Sequence, residues 1–200
     1  MRDLTLVGST TALTEDVVVA RVSGAQRLCL LATAAAFASP LSAADALRAL
    51  LGRPDADLVV AGDRGSCEAP ETIERLDAAD LVIALDGSAL HARAMWRASA
   101  LGAALAQIPL VAVGTVASVL GATMIDPRGG APTTGLGLFD AVVVGTRAAE
   151  EQSRRTRSLL GSGLTYVEMG PHSVIHYDGT WRVEVDGGLR VTRGDEVVAL

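Results

Sequence analysis

Short, uninterrupted apolar runs recur along the chain, spaced widely enough for a helix between them. They cover residues 4–8, 28–32, 58–62, 81–85, 110–114 and 142–144. Their polarity does not alternate, which is the pattern of strands buried on both faces of a sheet. Segments with helical periodicity fall between them at residues 43–51, 70–76, 89–106 and 148–160. Strand, helix and strand at this spacing predict a three-layer α/β fold, with a mostly parallel sheet flanked by helices. From residue 165 to the end the pattern changes. Val, Ile, Tyr and Trp there alternate with polar residues, and Asp178-Gly179, Gly187-Gly188 and Gly194-Asp195 supply hairpin turns. This predicts an antiparallel β-rich C-terminal extension of one domain spanning residues 1–200. No linker, repeat or low-complexity tract divides the chain.

Composition narrows the functional classes. The chain has 200 residues, half of them hydrophobic, and a formal net charge of −6. An acidic chain lacks the basic face that phosphate binding needs, so nucleic acid is not the expected partner. All 17 basic residues are Arg, which excludes a lysine Schiff base or a P-loop lysine. The two cysteines, Cys29 and Cys67, form no CxxC pair; Cys29 lies in an apolar run and reads as core. No metal site or cofactor is expected. Residues 98–125 carry no charge, a length that would span a bilayer. Gln107, Pro109 and Gly114-Thr115 interrupt the stretch, so it reads instead as helix end, buried strand, sharp turn and buried helix. The N-terminal apolar run is too short for a signal peptide, and a cytoplasmic location is the expectation.

Open parallel sheets bind ligands beyond the carboxyl ends of their strands. The turns to search are therefore Gly8-Ser9-Thr10-Thr11 after the first strand, Asp86-Gly87-Ser88 after the fourth, and Gly114-Thr115-Val116-Ala117-Ser118 after the fifth. The first lacks G-x-G-x-x-G and is no dinucleotide fingerprint. The third stands where hydrolases of this architecture carry a nucleophile elbow.

Three segments resemble the peptidase E and cyanophycinase family, serine hydrolases on the class I glutamine amidotransferase-like fold. Residues 79–105 resemble its strand, Gly-Gly turn and helix. Residues 111–144 resemble its elbow, helix and following loop, and residues 163–194 its C-terminal strands. The resemblance covers most of the chain, and it implies the fold, a serine-type cleft and the placement of three catalytic positions. All three depart from the pattern. Where the family elbow reads Gly-x-Ser-Ala-Gly, the nucleophile position holds Val116. Where a His follows the sixth strand, the same offset gives Arg147, which stays protonated and cannot act as a base. Where acidic residues precede the last strands, the segment is Glu168-Met169-Gly170-Pro171, with Gly170 at the acidic position.

The expectation is a catalytically degenerate relative, serving in small-molecule or peptide binding or in protein assembly. A homodimer, or pairing with an active homologue, fits that role. Val116 is expected at the strained apex of the elbow. The alternative is an active peptidase or amide hydrolase with a displaced nucleophile, Thr115 or Ser118. Ser118 lies two positions late, about 200° round a helix, and Thr115 one early. The expected pocket comprises Asp86, Gly87, Ser88, Gly114, Thr115, Val116, Ala117, Ser118 and Arg147. Its ligand is expected to be anionic, drawn by the turn amides of Gly87, Val116 and Ala117 and by the Arg147 charge, unless Arg147 turns to solvent and pairs with Glu150 or Glu151. His172 and His176 are spaced i, i+4, but on a strand such residues sit ~13 Å apart; they read as surface histidines. His91 starts a helix, solvated or lining the pocket. The charged segment 150–157 reads as a solvated helix face.

Overall fold

The computed structural model describes all residues except 1–2, 129, 145–149, 162 and 195. The chain runs β1 (Leu4–Val7), α1 (Asp16–Gly24), β2 (Leu28–Leu31), α2 (Pro40–Leu51), β3 (Asp57–Val59), α3 (Arg64–Glu68), α4 (Pro70–Asp77) and β4 (Leu81–Ala84). It continues through α5 (Ala89–Trp96), α6 (Ala100–Leu105), β5 (Leu110–Val113), β6 (Thr123–Ile125), β7 (Pro132–Thr134), β8 (Val142–Val144) and α7 (Glu150–Leu160). It closes with β9 (Thr165–Glu168), β10 (Val174–Tyr177), β11 (Trp181–Val185), β12 (Arg190–Arg193) and β13 (Glu196–Val197). Two 3-10 turns, Thr10–Thr14 and Gly114–Val119, follow β1 and β5.

A seven-stranded sheet has the order β11-β10-β1-β5-β4-β2-β3. Its five strands from β1 to β3 are parallel, and the β10–β11 hairpin closes the β1 edge antiparallel. The predicted runs form these strands because each is apolar on both sides. Leu4, Leu6, Cys29, Leu31, Val82, Ala84, Leu110 and Ala112 face one core, with Cys67, Leu76, Trp96, Leu101 and Leu105 from α3 to α6. Val7, Leu28, Leu30, Leu81, Ile83, Val111 and Val113 face the other, with Leu13 and residues of α1 and α2 such as Val18 and Leu47. Period two thus divides each strand between two helical layers. Each fully buried Leu or Ile contributes about 1.5–3 kcal/mol.

The structure corrects four expectations. The sixth run, β8, does not join the main sheet. It pairs in parallel with β9 in a four-stranded sheet of order β13-β12-β9-β8, so the C-terminal strands are shared between two sheets. The single helix expected over 89–106 is two helices. Ser99 recaps the chain, its Oγ accepting from the Gly102 amide at 3.0 Å, and Ala98 takes φ 53° at the break. The Arg64 guanidinium donates to the carbonyls of Met95, Arg97 and Ala98 there. In the uncharged stretch 98–125 a helix end, a strand and a sharp turn lie where expected, but a 3-10 turn and β6 stand in place of the expected buried helix; no helix among the described residues is long and apolar enough to cross a membrane. On α7, Arg157 is not solvated: it is buried and lies 3.5 Å from the buried Glu168, whose carboxylate also accepts from Ser153.

Candidate functional site

The carboxyl ends of β1, β5, β4 and β2 open on one edge of the parallel sheet. The turns after β4 and β5 meet there, and they bring together Asp86, Gly87, Gly114 and Thr115. Asp86 is exposed, and its Oδ1 accepts from the Gly87 amide at 2.8 Å, the Thr115 amide at 2.9 Å and the Thr115 hydroxyl at 2.8 Å. The Thr115 Oγ also lies 2.6 Å from the Gly87 carbonyl, so one proton serves two acceptors. Backbone without side chains makes this approach feasible. Gly87 has φ 154°, and a Cβ there would strike the Ala34 carbonyl. The Ser88 amide donates to that same carbonyl at 2.8 Å.

The turn after β5 is sharp, but its positive φ falls on Gly114, at 60°, and not on Val116. This overturns the expectation of a strained valine apex. Val116 and Ala117 are fully buried within the 3-10 turn. The reason is steric: Gly114 is the residue without a Cβ, so it takes the left-handed corner at least cost. A Cβ built on it would lie 2.7 Å from Asp86 Oδ1 and closer still to Oδ2. The Asp86 carboxylate therefore fills the volume that a side chain on this corner would occupy. The helix expected beyond the elbow is a six-residue 3-10 turn.

The remaining candidates separate. Ser88 caps α5, its Oγ accepting from the His91 amide at 3.2 Å. Ser118 is 7% exposed and donates to the Thr115 carbonyl at 2.6 Å, turned into its own turn. Arg147 lies outside the described residues. Gly170 is buried on the β1 side: its amide donates to Ser173 Oγ at 2.9 Å, and a Cβ there would strike the Gly187 carbonyl. His91 is half-buried and does not enter the Asp86 cluster. Its Nε2 is 2.9 Å from the Gly62 carbonyl, and its ring lies 4.4 Å from that of the exposed Phe37.

His172 and His176 part company as the strand spacing implies. His172 is exposed and pairs with Glu15, Nδ1 to Oε1 at 3.0 Å. His176, expected at the surface, is buried on β10 opposite Thr5. Burial, with Arg21 and Arg182 nearby, depresses its pKa. Neither cysteine offers a thiolate: burial pushes Cys29 up to about 12 and Cys67 to about 11.

Sequence reasoning named Asp86, Gly87, Gly114 and Thr115 as pocket members but missed their relation. The signal was available: an acidic residue ends one strand turn where small residues end the neighbouring one. A groove of about 570 Å³, lined by Trp96, Ala98, Gly102, Gly135 and Leu136 among others, runs between α6 and the loop after β7. No pattern of residues along the chain points to it.

No protein-family model and no curated protein matches this sequence. Among solved structures the chain is similar to a peptidase from an acI-B1 Actinobacterium, with 16% identity over 100% of this chain and 97% of that one, and a TM-score of 0.72. Likeness at that identity is likeness of fold, and this chain has a peptidase-like fold.

Proposed function

We propose that the chain is a non-hydrolytic relative of the peptidase E and cyanophycinase group, which keeps the cleft for binding a small molecule or peptide, or its surface for assembly. One observation carries the reading. The positive-φ corner after β5 holds Gly114, which has no side chain, and the space above it is taken by the Asp86 carboxylate. A nucleophile elbow works by holding a hydroxyl on such a corner against oxyanion donors. Here the corner has no hydroxyl, and the amides of Gly87 and Thr115 already bind an anion. Loss of the nucleophile alone costs on the order of 10⁶ in turnover in a well-studied serine protease.

A second reading rests on Thr115. Its hydroxyl is hydrogen-bonded to a carboxylate, the arrangement of a weak nucleophile beside a base. Ser118 gains no such support, since its hydroxyl is tied to the Thr115 carbonyl. One experiment separates the readings. The purified protein is treated with a fluorophosphonate and assayed against a panel of peptide and ester substrates, with Thr115→Val as control. The expected result is no label and no hydrolysis above background. Hydrolysis abolished by Thr115→Val would establish the second reading.

A further inference from the structure

The Asp86 carboxylate is held as proteins hold a bound anion. Three donors converge on Oδ1, and two of them, the Thr115 amide and hydroxyl, belong to a turn 29 residues further along the chain. Backbone amides aimed at one point from separate loops make an anion-binding concavity, and donors to an ionised oxygen are roughly twice as strong as neutral ones. Both glycines of the cluster are fitted to this occupant: Gly114 leaves it room, and Gly87 lets the turn close on the Ala34 carbonyl.

We infer that the turns after β4 and β5 form an anion cradle whose ligand is built into the chain. Asp86 is the resident carboxylate, and while it is seated this point of the cleft is shut to carboxylates from solution. Asp86 occupies the cradle whether or not the chain hydrolyses anything. An anionic ligand that uses Gly87 and Thr115 must first displace Asp86, against the repulsion of its charge. The groups packed on the carboxylate are neutral, namely two amides and one hydroxyl, and no charged side chain among the described residues forms an ion pair with it.

The test exchanges the resident for a visitor. Acetate is titrated into wild type, Asp86→Gly and Asp86→Asn at constant ionic strength set with chloride, while the backbone amide signals of residues 87 and 115 are followed by NMR. The expected result is saturable movement of both signals in Asp86→Gly, with an apparent Kd at least tenfold below any seen in wild type. Asp86→Asn keeps a carbonyl oxygen on the same donors, and is expected to stay as unresponsive as wild type. Equal acetate affinity in wild type and Asp86→Gly, or none in Asp86→Gly, would overturn the inference. If Asp86→Gly does not fold, Asp86→Ala is titrated in its place, with the same movement of both amides expected and the same two outcomes overturning the inference. Because the readout is amide resonance, its failure is distinct from a failure of the non-hydrolytic reading, which is judged by labelling and turnover.

Discussion

At residue 114 a hydrogen atom takes the place of a side chain, and two constraints act on it together. The backbone sits at φ 60°, and the Asp86 carboxylate lies where a Cβ would go. The left-handed conformation costs a residue with a Cβ about 1–2 kcal/mol, and overpacking adds about 1–3 kcal/mol. Gly114→Ala is therefore expected to lose about 2–5 kcal/mol, a fall in Tm of roughly 4–20 °C for a chain of this length. The two parts separate in a double-mutant cycle. In an Asp86→Gly background only the backbone part remains, so Gly114→Ala should cost about half as much. Additive losses would mean that Asp86 does not press on this corner. The same residues mark the limit of the sequence reading. Asp86, Gly87, Gly114 and Thr115 were identifiable because they end strands whose apolar runs are unmistakable. That the corner falls at 114 and not at 116 was not identifiable, because Gly114-Thr115-Val116-Ala117-Ser118 offers small residues at several positions, and the family spacing favours the wrong one.

Strands were legible where both faces are buried, since a continuous apolar run has few other folded uses. Connections were less so. Helices α1 and α3 are short or weakly amphipathic, and the break between α5 and α6 lies within a pattern that helical periodicity joins smoothly. What breaks it is capping chemistry: Ser99 receives the Gly102 amide, Glu68 receives the Ala100 amide at 3.0 Å, and Arg64 collects the carbonyls left at the end of α5. These partners are distant in sequence and leave no local trace. The same contacts hold Ala98 at φ 53°, where it is the one described residue other than glycine with a positive φ. Relief of the Cβ penalty by Ala98→Gly gains about 1–2 kcal/mol. The greater freedom of glycine in the unfolded chain returns about 0.4–1 kcal/mol of that. A net gain of about 0.5–1 kcal/mol is expected, raising Tm by roughly 1–4 °C. A lower Tm would show that the Ala98 methyl contributes packing along the groove it lines.

The two ends of the parallel sheet carry different chemistry. The Asp86 cradle lies at the carboxyl end. His176 lies away from it, on the antiparallel strand beside β1, where its Nδ1 is 3.4 Å from Thr5 Oγ and 3.7 Å from Asp3, and its Nε2 is 3.8 Å from Asp178. Burial comes first among the causes that depress its pKa. The positive charges of Arg21 and Arg182 follow, outweighing Asp178 and Glu184. A depressed histidine binds its proton more readily unfolded than folded. Its contribution is thus present in full above the unfolded pKa near 6.5 and is lost as pH falls toward the lower folded value. Several carboxylates act in a separate, more acidic window. Asp57 is held below its usual range by Arg75, Asp80 by the Arg27 amide, and Asp126 at about 2 by Arg128. Their contributions hold above about pH 4 and disappear only below it. Acid destabilisation of the whole molecule should therefore come in two stages, the first belonging to His176 alone among these groups. Thermal unfolding measured from pH 8 to pH 5 is expected to show a falling Tm in the wild type and a flatter profile in His176→Gln, with both chains falling together below pH 4. Parallel profiles from pH 8 to pH 5 would move the first stage away from the β1–β10 junction.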